Sequence, residues 1–579
     1  MRIITLLMLS VIIAAAHPVD DFMDDFAAEW VRGAPTTASR TQYFEGAEQD
    51  ALDGKLTPVT AAYQAERAAL ARRGLAELRA FDTAGASTET LRTVSVMEWL
   101  LDDTVRGAVH QDYQFPLNQF TGVQRRLIGY LASSMPIRHE RDAENYVSRV
   151  GQLGGLIDDA TAEMKRRDSK GLLLPDFILT ATIKQMERFV APAPEANLLA
   201  TSLPERLAPW EGVAPATAAR LVAEVVDDLN TEIYPAYRRA VVVLQDQLAR
   251  ATSDAGLWRL EHGEAAYATL LRHYTNSDMT PREVHELGLR EVARIEAEMD
   301  EILTAQGFTT GTITERYRAL EASIQPEGDT DPRPRLLQEY VDWVEDAKVR
   351  AAPLFDMLPR APVIVKREPP FSEANAAAHY STPAADGSMP GIFWVPLPGE
   401  PYRMISRRSL TYHEAVPGHH FQLALQQEME GLPKWWAKRV FGGNSAYSEG
   451  WALYAEWLAH DDGWYDGDPI GRLGYLDSEL LRARRLVVDT GIHAFKWTRQ
   501  QVIDYGIKVS EAERYVVYPG QACSYKVGQL TIVELRRDAE KRLGNKFSLP
   551  AFHNIILRGA CAPLQVVRAD VEAWVKALE

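Results

Sequence analysis

The octapeptide HEAVPGHH, which begins at His413, combines residue types that could do chemistry. A zinc site on a single helix uses two histidines four residues apart, and a glutamate after the first takes a proton from metal-bound water. His413 and Glu414 fit the beginning of this pattern, but Pro417 occupies the place of the second histidine. His419 and His420 follow two and three residues later, so neither pairs well with His413 on an undistorted helix.

The Pro-Gly pair inside the octapeptide allows two interpretations. Pro417 has no N–H group and its ring clashes with the preceding turn, so a helix must break or bulge there, and Gly418 tolerates the backbone angles that follow. A bulge that absorbs two residues would place His419 where the second ligand normally falls, with His420 as the alternative ligand. The segment could equally be a plain turn that ends a helix beside unrelated histidines.

A third metal ligand is available further along, in NSAYSEGWALYAEWLAH. Zinc sites with two histidines and a glutamate take the glutamate from a following helix and leave one position open for water. Glu449 precedes Gly450, which leaves room for close backbone approach, whereas Glu456 lies two turns later and is better placed to orient a histidine. The alternative is a solvated helix face, but the aromatic neighbours are not typical of one. We therefore predict one Zn²⁺ held by His413, His419 and Glu449.

Two later segments could complete an active site. DTGIHAFKW contains Asp489 and His493, and ERYVVYPGQACSYKVGQL contains Arg514, Tyr515 and Tyr525. A carbonyl that develops negative charge beside a metal needs a hydrogen-bond donor, for which His493 and Tyr525 are candidates, and an arginine binds a carboxylate through two N–H groups. Arg514 and Tyr515 are accordingly candidates for substrate binding, and Asp489 for a supporting role. For each of these residues, packing in the core is the commoner outcome.

The composition of the chain limits its partners. It has 579 residues, of which 46% are hydrophobic and 25% charged, which is typical of a globular protein. The net charge of −17 argues against nucleic acid as a partner, since phosphate binding needs clustered lysine and arginine. Cys523 and Cys561 could form a disulfide in an oxidising compartment or remain free thiols.

The N-terminal sequence MRIITLLMLSVIIAAAHPVDD is typical of a secretory signal. One basic residue, Arg2, precedes an apolar run that ends in three alanines, a pattern that predicts cleavage after Ala16. The run is short for a membrane span of about 20 residues, although an uncleaved anchor is the alternative. The mature chain is expected to be exported to the periplasm or secreted, as a soluble protein without another membrane span.

Helical patterns dominate the chain on both sides of one short interruption. In TPREVHELGLREVARIEAEMDEILTAQGF, Thr280 and Glu283 form a capping box and apolar residues recur every three or four positions. Between residues 361 and 400, PVIVKREP and GIFWVPLP are short runs typical of strands. We predict a mainly α protein with a helical lobe over 17–355 and a catalytic lobe over 356–579, in which a small sheet precedes the motif helix.

Five segments carry a family resemblance: LTYHEAVPGHHFQ, SEGWALYAE, VDTGIHA, RYVVYPGQACSYKVGQL and FHNIILRGACAPL. In this order they resemble the bacterial family known as domain of unknown function 885, which is grouped with gluzincin-type zinc metallopeptidases. The chain is also similar to helical oligopeptidases and carboxypeptidases such as angiotensin-converting enzyme and carboxypeptidase Taq. The resemblance covers nearly all of the mature chain and implies one continuous domain with a two-lobed helical fold and a central channel. The roles that it implies are zinc binding by His413, His419 and Glu449, general base catalysis by Glu414, and a place near the oxyanion for His493 and Tyr525.

The expected function is zinc-dependent hydrolysis of short peptides, of the oligopeptidase or carboxypeptidase type. The strand GIFWV could align an extended peptide along its edge. Two alternatives remain open: a zinc-dependent hydrolase of a non-peptide amide or amino-acid conjugate, and a non-catalytic relative that binds peptides. The sequence does not distinguish exopeptidase from endopeptidase and does not indicate the oligomeric state.

Overall fold

A computed structural model describes residues 17–208, 213–328, 330–373, 376–384, 387 and 389–579. The expected signal segment, residues 1–16, lies outside this part of the chain. Helices dominate the described residues and the only sheet among them has three strands, so the prediction of a mainly α protein is confirmed.

The helices and strands follow one another in three groups. The first group consists of α1 Pro18–Arg32, α2 Pro35–Thr41, α3 Gly46–Asp53, α4 Ala61–Ala80, α5 Thr88–Gly107, α6 Val123–Gly129, α7 Glu140–Gly151, α8 Leu153–Asp168, α9 Asp176–Phe189, α10 Leu198–Leu207, α11 Pro215–Asp228, α12 Tyr234–Leu248, α13 Gly263–Thr275, α14 Pro281–Ala305, α15 Ile313–Ser323 and α16 Arg333–Ala351. The second group is β1 Val363–Arg367, α17 Pro370–Glu373, β2 His379–Ser381 and β3 Gly391–Val395. The third group is α18 Arg407–Glu414, α19 His419–Glu428, α20 Lys434–Ala437, α21 Ser445–Asp461, α22 Pro469–Ala494, α23 Arg499–Asp504, α24 Val509–Val517, α25 Ser524–Leu543, α26 Leu549–Arg558 and α27 Leu564–Leu578.

Helix α14 forms for the reasons that its sequence indicates. The Thr280 hydroxyl accepts a hydrogen bond from the Glu283 N–H, and the Glu283 carboxylate accepts one from the Thr280 N–H at 2.7 Å. This reciprocal pair is the capping box predicted from the sequence. The apolar stripe of α14 is buried, and the helix packs along α22, which carries several residues of the candidate site described below.

The sheet has the strand order β1-β3-β2, with β3 parallel to β1 and antiparallel to β2. Strand β3, the segment GIFWV, is therefore central: Phe393 lies opposite Val365 on one side and Tyr380 on the other. Both of its edges are used by neighbouring strands, so the expectation that GIFWV pairs with a substrate is wrong. The outer strand on the side of the motif helices is β2, whose Tyr380 contacts His420 on α19.

Two large apolar cores hold the helices together. One joins α1, α4, α5 and α14 to α16 with the sheet and most of α18 to α27. The other joins α7 to α12 with the C-terminal part of α22 and with α24. Neither core is confined to one side of the lobe boundary expected at residues 355 and 356. Within the described residues, no helix has the length and hydrophobicity needed to cross a bilayer, and Cys523 and Cys561 are not bonded to each other.

Candidate metal centre

The motif segment is a helix break. Helix α18 ends at Glu414 and α19 begins at His419, as the Pro-Gly pair predicts. The Val416–Pro417 peptide bond between them is cis. A Cβ atom on Gly418 would lie 1.9 Å from the carbonyl oxygen of His413, so only glycine fits there. The break returns the chain toward His413 and brings the start of α19 close to the end of α18.

Helix α21 holds the turn between α18 and α19 through a hydrogen bond. The buried Trp451 indole N–H donates to the carbonyl oxygen of Pro417 at 2.9 Å and lies 3.3 Å from that of Gly418. Among the described residues, the Pro417 carbonyl oxygen accepts no backbone hydrogen bond because the break interrupts the ladder, whereas that of Gly418 also accepts from the Gln422 N–H at 3.2 Å. The helix that carries Glu449 therefore also holds the turn between the two histidines.

The three predicted ligands converge. His413, His419 and Glu449 each offer one ligand atom, and these atoms all lie within 4.8 Å of one another. The Oε2 atom of Glu449 is 3.7 Å from Nε2 of His413 and 3.5 Å from Nε2 of His419. Tetrahedral zinc with bonds of about 2.0–2.1 Å separates its ligand atoms by roughly 3.3 Å. The observed spacing thus fits a single ion of this kind after small side-chain adjustments.

Glu456 orients the first histidine. Its Oε1 atom lies 2.8 Å from Nδ1 of His413, and its other oxygen accepts a hydrogen bond from the Ser409 hydroxyl. Burial raises the pKa of this carboxyl, but the hydrogen bond and charge of His413, the charge of Arg482 and the Ser409 hydrogen bond together outweigh burial, and the pKa is lowered. An ionised Glu456 keeps the proton of His413 on Nδ1, which leaves the Nε2 lone pair facing Glu449.

The structure distinguishes His419 from His420. The ring of His420 turns toward β2, where its Nδ1 lies 2.9 Å from the Tyr380 hydroxyl, and burial lowers its pKa to about 4. His420 is not among the residues whose ligand atoms converge. The ring of His419 lies 4.9 Å from that of His413, almost perpendicular to it, and its Nε2 faces Glu449. Of the two alternatives, His419 is the ligand candidate.

Glu414 lies beside the three ligand residues at the end of α18. It is buried, and its carboxylate accepts no hydrogen bond from any described residue. Burial raises its pKa, while the neighbouring His413 and His419 act in the opposite direction. A carboxylate without a protein partner, next to a metal-ligand set, is free to accept a proton from a water molecule.

His493 does not belong to this site. Its Nδ1 accepts a hydrogen bond from the Leu257 N–H at 3.2 Å, its Nε2 donates to the Tyr515 carbonyl oxygen at 3.0 Å, and its ring stacks on Tyr267. Burial lowers the pKa of His493 to about 4. Both nitrogens are engaged by the backbone, so these contacts contradict the predicted role as an oxyanion donor. His493 is a core histidine.

Asp489 supports the same core rather than a metal ligand. Its carboxylate accepts hydrogen bonds from the Tyr267 hydroxyl at 2.7 Å and from the Gly520 N–H at 2.9 Å. Burial raises its pKa to about 7, against the effect of the Tyr267 hydrogen bond. The supporting role predicted for Asp489 in the metal site is therefore not what its contacts show.

Tyr525 is surrounded by arginines. It is half-buried on α25, and its hydroxyl makes no hydrogen bond within the described part of the chain. The guanidinium carbons of Arg485 and Arg482 lie 4.6 and 5.9 Å from its ring centre. Arg514 is close enough that a charge on Tyr525 would raise its pKa. We call Arg482, Arg485 and Arg514 the arginine cluster.

Tyr515 and Glu511 hold part of this cluster in place. The Tyr515 hydroxyl donates to Glu511 at 2.8 Å and accepts from Nε of Arg485 at 3.0 Å. Glu511 also accepts from Arg485 at 2.9 Å and from Arg514 at 3.1 Å. Tyr515 is buried and positions an arginine. These contacts differ from the substrate contact that the sequence predicts for it.

The packing of α21 against α25 brings Tyr525, beside the arginine cluster, to the helix that carries Glu449. A Cβ atom on Gly450 would lie 2.6 Å from the backbone of Gly528, and the hydroxyls of Ser445 and Ser524 are 2.7 Å apart. Tyr525 lies between the two contact points on α25, and Glu449 lies between them on α21. The third metal ligand and the free phenol therefore lie within about one helical turn of each other along the paired helices.

Three contributing residues lie outside the sequence motifs, namely Ser409, Arg482 and Arg485, and Trp451 lies inside SEGWALYAE without a role predicted for it. The signal for the two arginines is the run LLRARR, which places positive charge in a helix that is otherwise rich in leucine and valine. An arginine on a buried helix needs a hydrogen-bonding or charged partner, so such a run indicates a polar site even when the partner cannot be read from the sequence.

The class of protein is thus a mainly α fold in which two histidines and one glutamate converge at a break between two helices. The chain belongs to the family described as bacterial protein of unknown function (DUF885), whose model matches residues 35–571. A crystal structure of a candidate lipoprotein from Colwellia psychrerythraea is similar over 96% of this chain and 99% of that one, with 30% sequence identity and a TM-score of 0.87. The structure of a candidate lipoprotein of unknown function from Shewanella oneidensis is similar over 96% of this chain and 99% of that one, with 19% sequence identity and a TM-score of 0.70. This similarity shows the fold. Among curated proteins, none matches this chain significantly.

Proposed function

We propose that the protein is a zinc-dependent metallopeptidase that hydrolyses short peptides. The observation that carries this proposal is the convergence of Nε2 of His413, Nε2 of His419 and Oε2 of Glu449 beside the carboxylate of Glu414, which has no partner among the described residues. Bound there, zinc would polarise a carbonyl group and lower the pKa of a coordinated water to about 7.

The donor set favours zinc and a catalytic site. Two imidazole nitrogens and one carboxylate suit zinc better than magnesium or calcium, which prefer oxygen ligands. Structural zinc sites are closed by four protein ligands, whereas the converging group among the described residues has three. The Glu449 side chain is 23% exposed and that of His413 only 5%, so the open side of the centre lies toward Glu449.

The residues around the centre divide the reaction between them. Glu414 would take a proton from the attacking water and pass it to the nitrogen of the leaving amine. Tyr525 lies within about one helical turn of Glu449 and has no hydrogen-bond partner among the described residues. Its hydroxyl would donate a hydrogen bond to the oxygen of the scissile carbonyl as negative charge develops. Glu456 holds His413 in the tautomer that this arrangement needs.

Export is the second part of the proposal. The N-terminal sequence is typical of a secretory signal, and the similar structures from Colwellia and Shewanella are both described as candidate lipoproteins. An exported enzyme of this kind would meet peptides in the periplasm or outside the cell.

Metal analysis combined with one substitution tests the proposed function. Purified wild-type protein and a Glu414→Gln variant should each bind about one zinc ion per chain, whereas only the wild type should hydrolyse a panel of short peptides. We expect the variant to be slower by at least about 10³-fold, because both the base and the proton donor are lost. Glu430→Gln, at an exposed position after α19, is the matched control and should behave like the wild type. Absence of bound zinc, or unchanged hydrolysis by Glu414→Gln, would contradict the proposal.

A further inference from the structure

The arginine cluster has more positive charge than its surroundings neutralise. Within the described residues, Glu511 is the only ion-pair partner of Arg485 and of Arg514, and Arg482 has none. Two other acids feel the cluster, since Arg482 lowers the pKa of Glu456 and Arg514 lowers that of Asp489. Glu456 is already paired with His413, and Asp489 is bound to Tyr267 and to the backbone. The cluster therefore keeps an excess of positive charge.

The cluster also has N–H groups without acceptors. The Nη1 atom of Arg485 and the Nε atoms of Arg482 and Arg514 are buried and have no hydrogen-bond partner among the described residues. Arg485 as a whole is only 7% exposed. A buried charged donor without an acceptor is costly and uncommon in folded proteins, so an acceptor supplied by a ligand is expected.

The position of the cluster indicates what that ligand is. Arg482 and Arg485 lie over the ring of Tyr525 and Arg514 lies near it, and Tyr525 is within about one helical turn of Glu449 along the neighbouring helix. An anion bound there would belong to a molecule that also reaches the metal centre. Guanidinium groups match the two oxygens of a carboxylate, with which they form paired hydrogen bonds.

We propose that the arginine cluster binds the free carboxylate at the C-terminus of a peptide whose scissile carbonyl lies at the metal centre. The inference rests on the proposed function and adds the substrate class: the protein releases a C-terminal fragment of fixed length. The length of the fragment is fixed because the residues that bind its carboxylate stand on helices that pack against one another and against α21, which carries Glu449. These residues are Arg482 and Arg485 on α22, Arg514 on α24 and Tyr525 on α25. A carboxylate on an Asp or Glu side chain has the same chemistry but varies in position along a peptide.

Binding to the inactive protein tests this inference without requiring turnover. Zinc-loaded Glu414→Gln protein would be titrated in a calorimeter with three N-acetylated tetrapeptides of related sequence: one with a free C-terminus, the same peptide amidated, and an amidated peptide that ends in glutamate. The free acid should bind at least tenfold more tightly than either amide. Equal affinity of the free acid and its amide would overturn the inference. Tight binding of the amidated glutamate peptide would show that the site accepts side-chain carboxylates and would overturn the assignment to the C-terminus.

Arg482→Gln separates the cluster from general effects on the fold. Arg482 is half-exposed and has no ion pair, so its replacement leaves the Glu511 network intact. In the Glu414→Gln background it should weaken binding of the free acid about tenfold and leave the amide and the zinc content unchanged. Arg290→Gln, on the exposed face of α14, is the control and should change neither affinity. An equal loss for both peptides would contradict the inference.

The two proposals fail in different ways. If wild-type protein hydrolyses no peptide but the inactive variant still prefers the free acid, the peptidase function is wrong and the carboxylate site stands. If wild-type protein hydrolyses free and amidated peptides at the same rate, the peptidase function stands and the carboxylate site is wrong.

Discussion

The surroundings of His413 and His493 are built from the same residue types and yet differ in what they can do. Each histidine lies on a helix near a buried acid: Glu456 contacts His413, and Asp489 binds the Tyr267 on which His493 stacks. At His493 the backbone uses both ring nitrogens, whereas at His413 one nitrogen is held by Glu456 and the other faces His419 and Glu449. A histidine thus becomes a ligand candidate only where the fold leaves one nitrogen without a protein partner.

The largest expected effect comes from His419→Ala, which removes one of the three ligand candidates from the region around His413. The variant should lose bound zinc and fall to background hydrolysis, because two remaining ligands hold the ion poorly. Zinc content by mass spectrometry and peptide turnover provide the measurement. His420→Ala, one residue away, should retain its zinc because its ring faces Tyr380; loss of zinc from this variant instead would reverse the assignment.

Glu456→Gln should have an intermediate effect. The amide cannot hold the proton of His413 as the carboxylate does, and loss of such a supporting acid typically lowers metal affinity about 10–100-fold. Competition with a zinc chelator measures this change. Asp489→Asn is the matched variant in the other region, and a comparable loss of affinity in it would show that the two regions do not differ as described.

His493→Ala should affect stability and not metal binding. The substitution leaves the buried Leu257 N–H without a partner and leaves the Tyr515 carbonyl only its long hydrogen bond from the Tyr518 N–H, which together cost about 2–4 kcal/mol of the free energy of unfolding. Urea unfolding measures the loss, and the zinc content of the folded variant should remain about one ion per chain. A variant that keeps its stability but loses its zinc would show that His493 contributes to metal binding and is not only a core residue.

Asp489 should give the most gradual effect, a dependence of the free energy of unfolding on pH. Its pKa is raised to about 7 in the fold from an ordinary value of 3.8, with Tyr267, Cys523 and Arg514 as the titratable or charged groups around it. The fold favours the protonated form, so this contribution to stability is full below about pH 4 and is lost as the pH rises to 7, by at most about 1.4 kcal/mol per pH unit. Asp489→Asn should flatten the slope of unfolding free energy between pH 4 and 7, and an unchanged slope would refute the assignment.

Local chemistry explains which features were predictable. The capping box of Thr280 and Glu283 and the helix break at Pro417 depend on neighbouring residues, and both are present in the structure. The convergence of His413, His419 and Glu449 follows from ligand types and spacing. For the capping box and the helix break, a short stretch of sequence contains the physical cause.

The features that were not predictable depend on contacts between distant segments. The partners of His493 are backbone groups of Leu257 and Tyr515, and no motif specifies them. Strand β3 is central because β2, a strand of only three residues, pairs with its second edge. The choice between His419 and His420 depends on Tyr380, which reaches α19 from that strand.

Gly450 and Gly528 set a separation that evolution cannot adjust in small steps. A methyl group at Gly450 would already overlap the backbone of α25, so the gap between Glu449 and Tyr525 is defined by main-chain contact and not by replaceable side chains. Drift in the surrounding residues leaves this gap unchanged, while one alanine in the seam forces the two helices apart. Relatives that keep both glycines should therefore share one spacing between these groups, however far the rest of their sequences have diverged.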